Sequence, residues 1–167
     1  VHMDFDREIM EKQGYGTYTP LKPARSGKGP DYYIAYNSRA AEGTEVIHNN
    51  LRYRCENGDT QIIEAMKGFA RLTDDFRTAM EDADTDKMNR IIDANFDLRQ
   101  SVMNLNPLHV KMINTAREAG ASAKFTGSGG ALIGIVRGDE GFDRLKEALE
   151  PMGCVVIKPE IVYEENS

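Results

Sequence analysis

Lys124 and the five residues Thr126, Gly127, Ser128, Gly129 and Gly130 stand together in the stretch AKFTGSGGALIGIV, residues 123–136. Glycine reaches positive φ and lets the backbone approach another group closely, at an entropic cost. Successive N–H groups in such a loop can form a nest for an anion. The two hydroxyls can donate to an oxyanion, and Lys124 can neutralise a phosphate. The same residues also suit a tight turn entering a buried strand, with Lys124 at the surface, and the stretch alone leaves both readings open. A Walker A loop, GxxxxGK[ST], is absent, and these glycines precede a strand rather than a helix. Neither a P-loop nor a dinucleotide-binding fingerprint therefore applies.

Two further groups carry polar chemistry. His48 and Arg52 stand at i and i+4 on one predicted helix, with Arg54 nearby. Arginine offers a planar fork for a carboxylate or phosphate, although a solvated basic face has the same composition. Asn95 and Arg99 stand one turn apart on an otherwise apolar helix, either as ligand contacts or as an exposed stripe. Tyr32, Tyr33 and Tyr36 suit core and sheet surface better than a stacking platform. The acidic stretch DDF…EDADTD suits a solvated helix end and loop. Three scattered histidines form no metal-ligand cluster. The spacing identifies no catalytic residue and no metal ligand.

Charge and composition exclude some function classes. The 167 residues carry a formal net charge of −6, which gives no basic footprint for nucleic acid. No apolar run reaches the ~18 residues of a membrane-spanning helix, and no signal-peptide pattern opens the sequence. Cys55 and Cys154 lie far apart and outside any CxxC, so they read as reduced core thiols of a cytoplasmic protein.

These side chains need a scaffold. Residues 1–5 read as a strand, Arg7–Gln13 as a short helix closed by Gly14, and 16–21 as extended. Lys22–Asp31, with two prolines, two glycines and three cations, reads as a loop or linker. Tyr32–Tyr36 is an aromatic strand. A helix over 44–56 places Ile47, Leu51 and Cys55 on one face and ends at Gly58. A second helix, 60–83, turns Ile62, Ile63, Met66, Phe69, Ala70, Phe76 and Met80 inward. A third, 86–103, is capped by Thr85 or Asp86 and buries Met88, Ile91, Ile92, Phe96 and Met103. Pro107 opens a fourth, which ends at Gly120. Strand 132–136, helix 142–149 and strand 154–157 follow the glycine loop, and YEENS is a frayed tail. The expected class is α+β: a ferredoxin-like antiparallel sheet, completed by strand 32–36, with an inserted helical bundle.

KFTGSGGAL resembles the carboxy-terminal motif of the GHMP small-molecule kinases, a Lys- or Arg-initiated TGxGxGG-like loop before a strand. VHMDF, GYGTYTPL, EVIHNNLRYRCENGD, NFDLRQ and AGASAKFTGSGGA are similar, in the same order, to segments of glucuronokinases and related sugar 1-kinases. The resemblance thus covers nearly the whole sequence. It implies ATP-dependent phosphorylation of a sugar or sugar acid at the anomeric hydroxyl. It also implies that Lys124, Thr126, Gly127, Ser128, Gly129 and Gly130 lie against the nucleotide's phosphates. Substrate contacts would come from His48, Arg52, Arg54, Asn95 and Arg99. The resemblance divides the chain into residues 1–30, the end of an amino-terminal domain plus linker, and residues 31–167, the carboxy-terminal domain.

The family's main phosphate loop, PxxxGLGSSSA, and the segment bearing its catalytic aspartate and Mg²⁺-binding carboxylate are absent from this sequence. The resemblance therefore implies a partner, the amino-terminal half of the kinase, which supplies the Mg²⁺ ligands and without which the chain does not turn over. It also implies that the face bearing residues 1–5 and the glycine loop is unusually apolar. A reading from a different class is a stand-alone ferredoxin-like module that binds an anionic metabolite, which requires a closed polar surface instead.

Overall fold

The computed structural model describes residues 1–21, 29–37 and 45–161, with residues 45–50 described by their backbone alone. Most of the linker expected over 22–31, the tail after Ile161 and the side chain of His48 lie outside the described residues.

The elements run β1 (His2–Asp4), α1 (Arg7–Gln13), β2 (Thr17–Thr19), β3 (Asp31–Tyr36), α2 (Glu45–Glu56), α3 (Thr60–Glu81), α4 (Thr85–Val102), α5 (Pro107–Glu118), β4 (Lys124–Phe125), β5 (Ala131–Val136), α6 (Gly138–Leu149) and β6 (Val155–Ile157). Local chemistry sets their ends. Gly14 closes α1 in the left-handed conformation. The Asp59 carboxylate accepts from the N–H groups of Gln61 and Ile62 at the start of α3. Asn106 caps α5, and Pro107 fills its first position, where no N–H partner is needed.

β1 and β2 pair antiparallel in their own two-stranded sheet. The main sheet has order β4-β5-β3-β6 and is antiparallel throughout. A strand that crosses over, through helices, to leave room for another beside it is the ferredoxin-like arrangement. Here α5 and α6 are its two helices, and α2, α3 and α4 are inserted before α5. The expected fold class is the observed one.

Strand alternation builds two cores. Tyr33, Ala35, Leu132, Val136 and Val156 point to the side covered by α5 and α6, where they meet Met112, Ile113, Leu145 and Leu149. Ile135 and Tyr32 point the other way, against Phe76, Ala79, Met88, Ile91 and Ile92 of α3 and α4. Phe96 of α4 is fully buried in the first core, so α4 bridges the two. A third cluster, Leu51, Ile62, Ala65, Phe69, Leu98 and Val102, joins α2 to the α3–α4 hairpin. Truncating a side chain buried like Phe96 costs about 3–5 kcal/mol, so these layers hold α4 and the loop beside it in fixed relation.

The structure corrects several details. On α3, Ile62, Ala65 and Ala79 are buried and Phe69, Leu72, Phe76 and Met80 are half-buried against the cores; Ile63 is half-buried as well, whereas Met66 and Ala70 are exposed. The cap of α4 is Asp84, which accepts from Lys87 N–H, rather than Thr85 or Asp86. Met103 follows α4 in extended backbone and is half-buried. Cys55 is exposed, whereas Cys154 is buried as expected, and both are free thiols. The two-residue strand β4 stands where a loop is expected.

Candidate functional site

The glycine loop is the hairpin connection between β4 and β5. Lys124 pairs with Ile133 and Phe125 with Leu132, and Thr126 N–H donates to Ala131 C=O at 3.1 Å, which closes the base. Two contacts fasten the carbonyls of the loop to the body. Asn37 N–H donates to Gly130 C=O at 2.9 Å. The Arg99 guanidinium donates through Nη1 to Gly127 C=O at 2.7 Å. Gly129 and Gly130 have φ of +152° and +76°, a region that favours glycine.

The N–H groups are in a different situation. Among the described residues, those of Gly127, Ser128, Gly129 and Gly130 donate to no protein acceptor. Four consecutive donors left open beside an apolar strand are what an oxyanion needs.

Two cations stand next to them. Arg99 lies over the Phe125 ring at 5.3 Å, and its Nε is buried without an acceptor. Lys124 Nζ donates to the Phe125 carbonyl at 3.2 Å. Neither makes an ion pair among the described residues. Burial, and after it the charge of Arg99, lowers the pKa of the Lys124 ammonium below the usual lysine value. Burial likewise lowers that of Arg99. Two partly desolvated like charges without a carboxylate are costly, and an arriving anion offsets that cost.

A cavity of about 390 Å³ opens beside the cations, with Asn95, Lys124, Thr126 and Thr73 as its polar edge and Tyr32, Phe76, Ile91 and Ile133 among its walls. The structure thus gathers Asn95, Arg99, Lys124 and the loop residues 126–130 at one place. It sets Arg54 apart. That guanidinium bonds the Asp59 carboxylate at 2.8 Å and the Val102 carbonyl at 3.0 Å, and so ties α2 to α3 and α4. Arg52 is exposed on α2.

A polar network behind the site anchors the segment leading into the loop. Asp93 Oδ1 accepts from Ala123 N–H at 2.9 Å and from Arg117 Nε at 3.0 Å. Tyr33 O–H donates to Ser122 C=O at 2.9 Å, and burial raises its pKa far above the usual tyrosine value. The backbone comes so close here that a Cβ on Gly134 would stand 1.7 Å from Ser122 O. Sequence reasoning missed Asp93, Arg117 and also His109, which is buried beneath the loop. The one available signal for His109 is its spacing to Met112, Ile113 and Ala116, which marks the inner face of α5.

The first two strands carry exposed apolar side chains, in a separate sheet from the one that holds the glycine loop. Val1, Met3, Phe5, Tyr15 and Tyr18 each leave more than half of their surface exposed.

Comparison with known proteins agrees with this geometry. Residues 76–153, from the last turns of α3 to the turn before β6, match the family described as GHMP kinases C terminal. Over 136 residues the chain is 38% identical to probable glucuronokinase 2 of Arabidopsis thaliana, covering 80% of this chain and 36% of that protein. The chain therefore spans about a third of that relative. In fold it is similar to L. major mevalonate kinase solved with R-mevalonate, at TM-score 0.75 and 16% identity, over 90% of this chain and 48% of that one. It is also similar to Streptococcus pneumoniae phosphomevalonate kinase solved with phosphomevalonate and AMPPNP, at TM-score 0.70 and 11% identity, over 91% and 45% of the two chains. The fold is thus shared with these two solved kinases, and residues 76–153 carry the carboxy-terminal domain of the GHMP kinases.

Proposed function

We propose that this chain is the carboxy-terminal part of an ATP-dependent kinase that phosphorylates a sugar or sugar acid at the anomeric hydroxyl. The observation that carries the reading is the meeting of four N–H groups, residues 127–130, with Arg99 and Lys124, neither of which makes an ion pair among the described residues. The similarity to a glucuronokinase supports a sugar acid as acceptor.

MgATP supplies the γ-phosphoryl group, which the sugar hydroxyl attacks in line. The residues present fit its phosphates, through backbone N–H donors, the Thr126 and Ser128 hydroxyls and two cations. They do not fit the Mg²⁺, since no group of acidic, histidine or cysteine side chains suited to a metal exists among the described residues. The metal ligands and the base that takes the sugar proton then come from the amino-terminal half. Charge spreads over the phosphoryl oxygens as transfer proceeds, and preorganised N–H donors stabilise it there. Asn95, which lines the polar edge of the cavity, would hold the sugar, with Arg99 one turn further along α4. Arg52 and His48 of α2 remain candidate substrate contacts. Arg54 would join them only by giving up its bonds to Asp59 and Val102.

On this reading residues 1–30 finish the amino-terminal domain and residues 31–167 form the second domain. The exposed apolar side chains of β1 and β2 would then be covered by the rest of that first domain. No described helix is long and apolar enough to cross a membrane, and the location that suits such a kinase is the cytoplasm.

The test is ADP release by the full-length protein with MgATP and a panel of sugars and sugar acids. The expected result is release that depends on a sugar acid, with product phosphorylated at the anomeric carbon. Absence of acceptor-dependent release across the panel would overturn the proposal.

A further inference from the structure

His109 is 1% exposed on the inner face of α5 and plays no part in the chemistry above. A Cβ on Gly129 would stand 2.3 Å from its Nδ1 and 2.7 Å from its Cε1. One edge of the imidazole therefore lies directly under the Gly129 backbone and leaves no room for a side chain. The ring itself is held in place. Phe125 meets it edge-on at 5.8 Å, and Phe96 meets Phe125 edge-on at 5.3 Å. Asn106 caps α5 just before His109, which fixes where the helix begins. The ring thus forms the end of a rigid stack that runs from α4 through β4 to the loop.

We infer that His109 is a positioning residue for the phosphate-contacting loop. Its imidazole edge is the floor that holds Gly129 and Gly130 in their left-handed conformation and so aims the open N–H groups of residues 127–130. A flat ring edge suits this place, because a branched aliphatic side chain of similar volume would push into the Gly129 backbone. At 1% exposed, His109 acts through the loop and not by direct contact with a ligand in solution. The inference rests on the kinase reading of the loop.

The test compares full-length wild type with His109→Ala, His109→Asn, His109→Leu and Gly129→Ala, and with Gly129→Ala in the His109→Ala background. Thermal midpoint, kcat, KM for ATP and KM for the sugar acid are measured for each. Sub-ångström to 1 Å misplacement of a catalytic loop costs roughly tenfold to a hundredfold in rate. That loss is expected in kcat for His109→Ala and His109→Leu, with the sugar KM changed by less than about threefold. His109→Asn, which keeps a planar polar group, restores most of the loss. Gly129→Ala costs less when His109 is already alanine, because the ring no longer meets the new methyl. Folded His109→Ala with wild-type kcat overturns the inference, as does an equal cost of Gly129→Ala in both backgrounds. Should His109→Ala not fold, an unchanged kcat in His109→Leu overturns it instead. A wild-type protein without ATP-dependent transfer to any sugar would overturn the kinase reading, and the inference with it.

Discussion

Replacing Arg99 with methionine separates a strut from an anion ligand. The bond to Gly127 C=O is a charged hydrogen bond at 2.7 Å, of a type that contributes about 1.5–3 kcal/mol. The contact with the Phe125 ring at 5.3 Å adds about 0.5–1 kcal/mol. Against both stands a buried Nε without an acceptor, which costs about 1–3 kcal/mol. Methionine keeps most of the aliphatic packing. The opposing contributions nearly cancel, so the thermal midpoint should move by about 4 °C or less. Phosphate binding should respond differently. A unit charge about 4 Å from a phosphate is worth up to about 4 kcal/mol near a protein surface. Solvent screening and the remaining Lys124 reduce that to about 1–2 kcal/mol, or about a fivefold to thirtyfold rise in the ATP dissociation constant. The assay is a pair of measurements on the full-length protein, thermal unfolding and ATP titration calorimetry. A midpoint lowered by much more than 5 °C with ATP affinity unchanged would refute the reasoning and leave Arg99 as a strut alone.

Three other outcomes follow from the same geometry. Gly134→Ala places a methyl against the Ser122 carbonyl, and overpacking of backbone on backbone should cost about 3 kcal/mol or more, read as loss of folded protein in urea. Ala83 has φ +56° in the turn between α3 and α4; Ala83→Gly relieves that strain and should raise stability by about 0.5–1 kcal/mol in the same urea series. The Arg54 hydrogen bond is the largest cause that lowers the Asp59 carboxyl pKa in the fold. A depressed folded pKa gives stability above the unfolded carboxyl value and loses it as pH falls through the folded one. Wild type should therefore unfold at higher temperature than Asp59→Asn near neutral pH, and the gap should close below about pH 4; a gap that is constant with pH would argue against the pair.

The parts of the fold that were legible in the sequence are those set by local chemistry. Gly14, Gly58 and Pro107 mark helix ends through their own backbone preferences. Strand β5 announces itself as an apolar run after glycines. By contrast, β4 is two residues long, and only its pairing with Ile133 and Leu132 makes it a strand. On α3, Met66 and Ala70 are as apolar as their neighbours yet exposed, because what lies opposite decides which are covered. Cys55 was misplaced for the same reason. At the site, the glycine loop stood out by composition. The link from Arg99 to Gly127 crosses 28 residues, and that from Asp93 to Ala123 crosses 30. No local pattern reports such contacts. Arg54 shows the converse: its residue type suits a ligand, yet Asp59 and Val102 occupy it.

The central claim is that residues 126–130 hold the phosphates of a nucleotide. The most direct measurement is a crystal structure of the full-length protein with a non-hydrolysable ATP analogue and a sugar acid. The account predicts phosphate oxygens within hydrogen-bond distance of N–H groups of residues 127–130, with Arg99 or Lys124 beside them. Phosphates bound elsewhere, with these N–H groups still open and Lys124 without an anion, would contradict it.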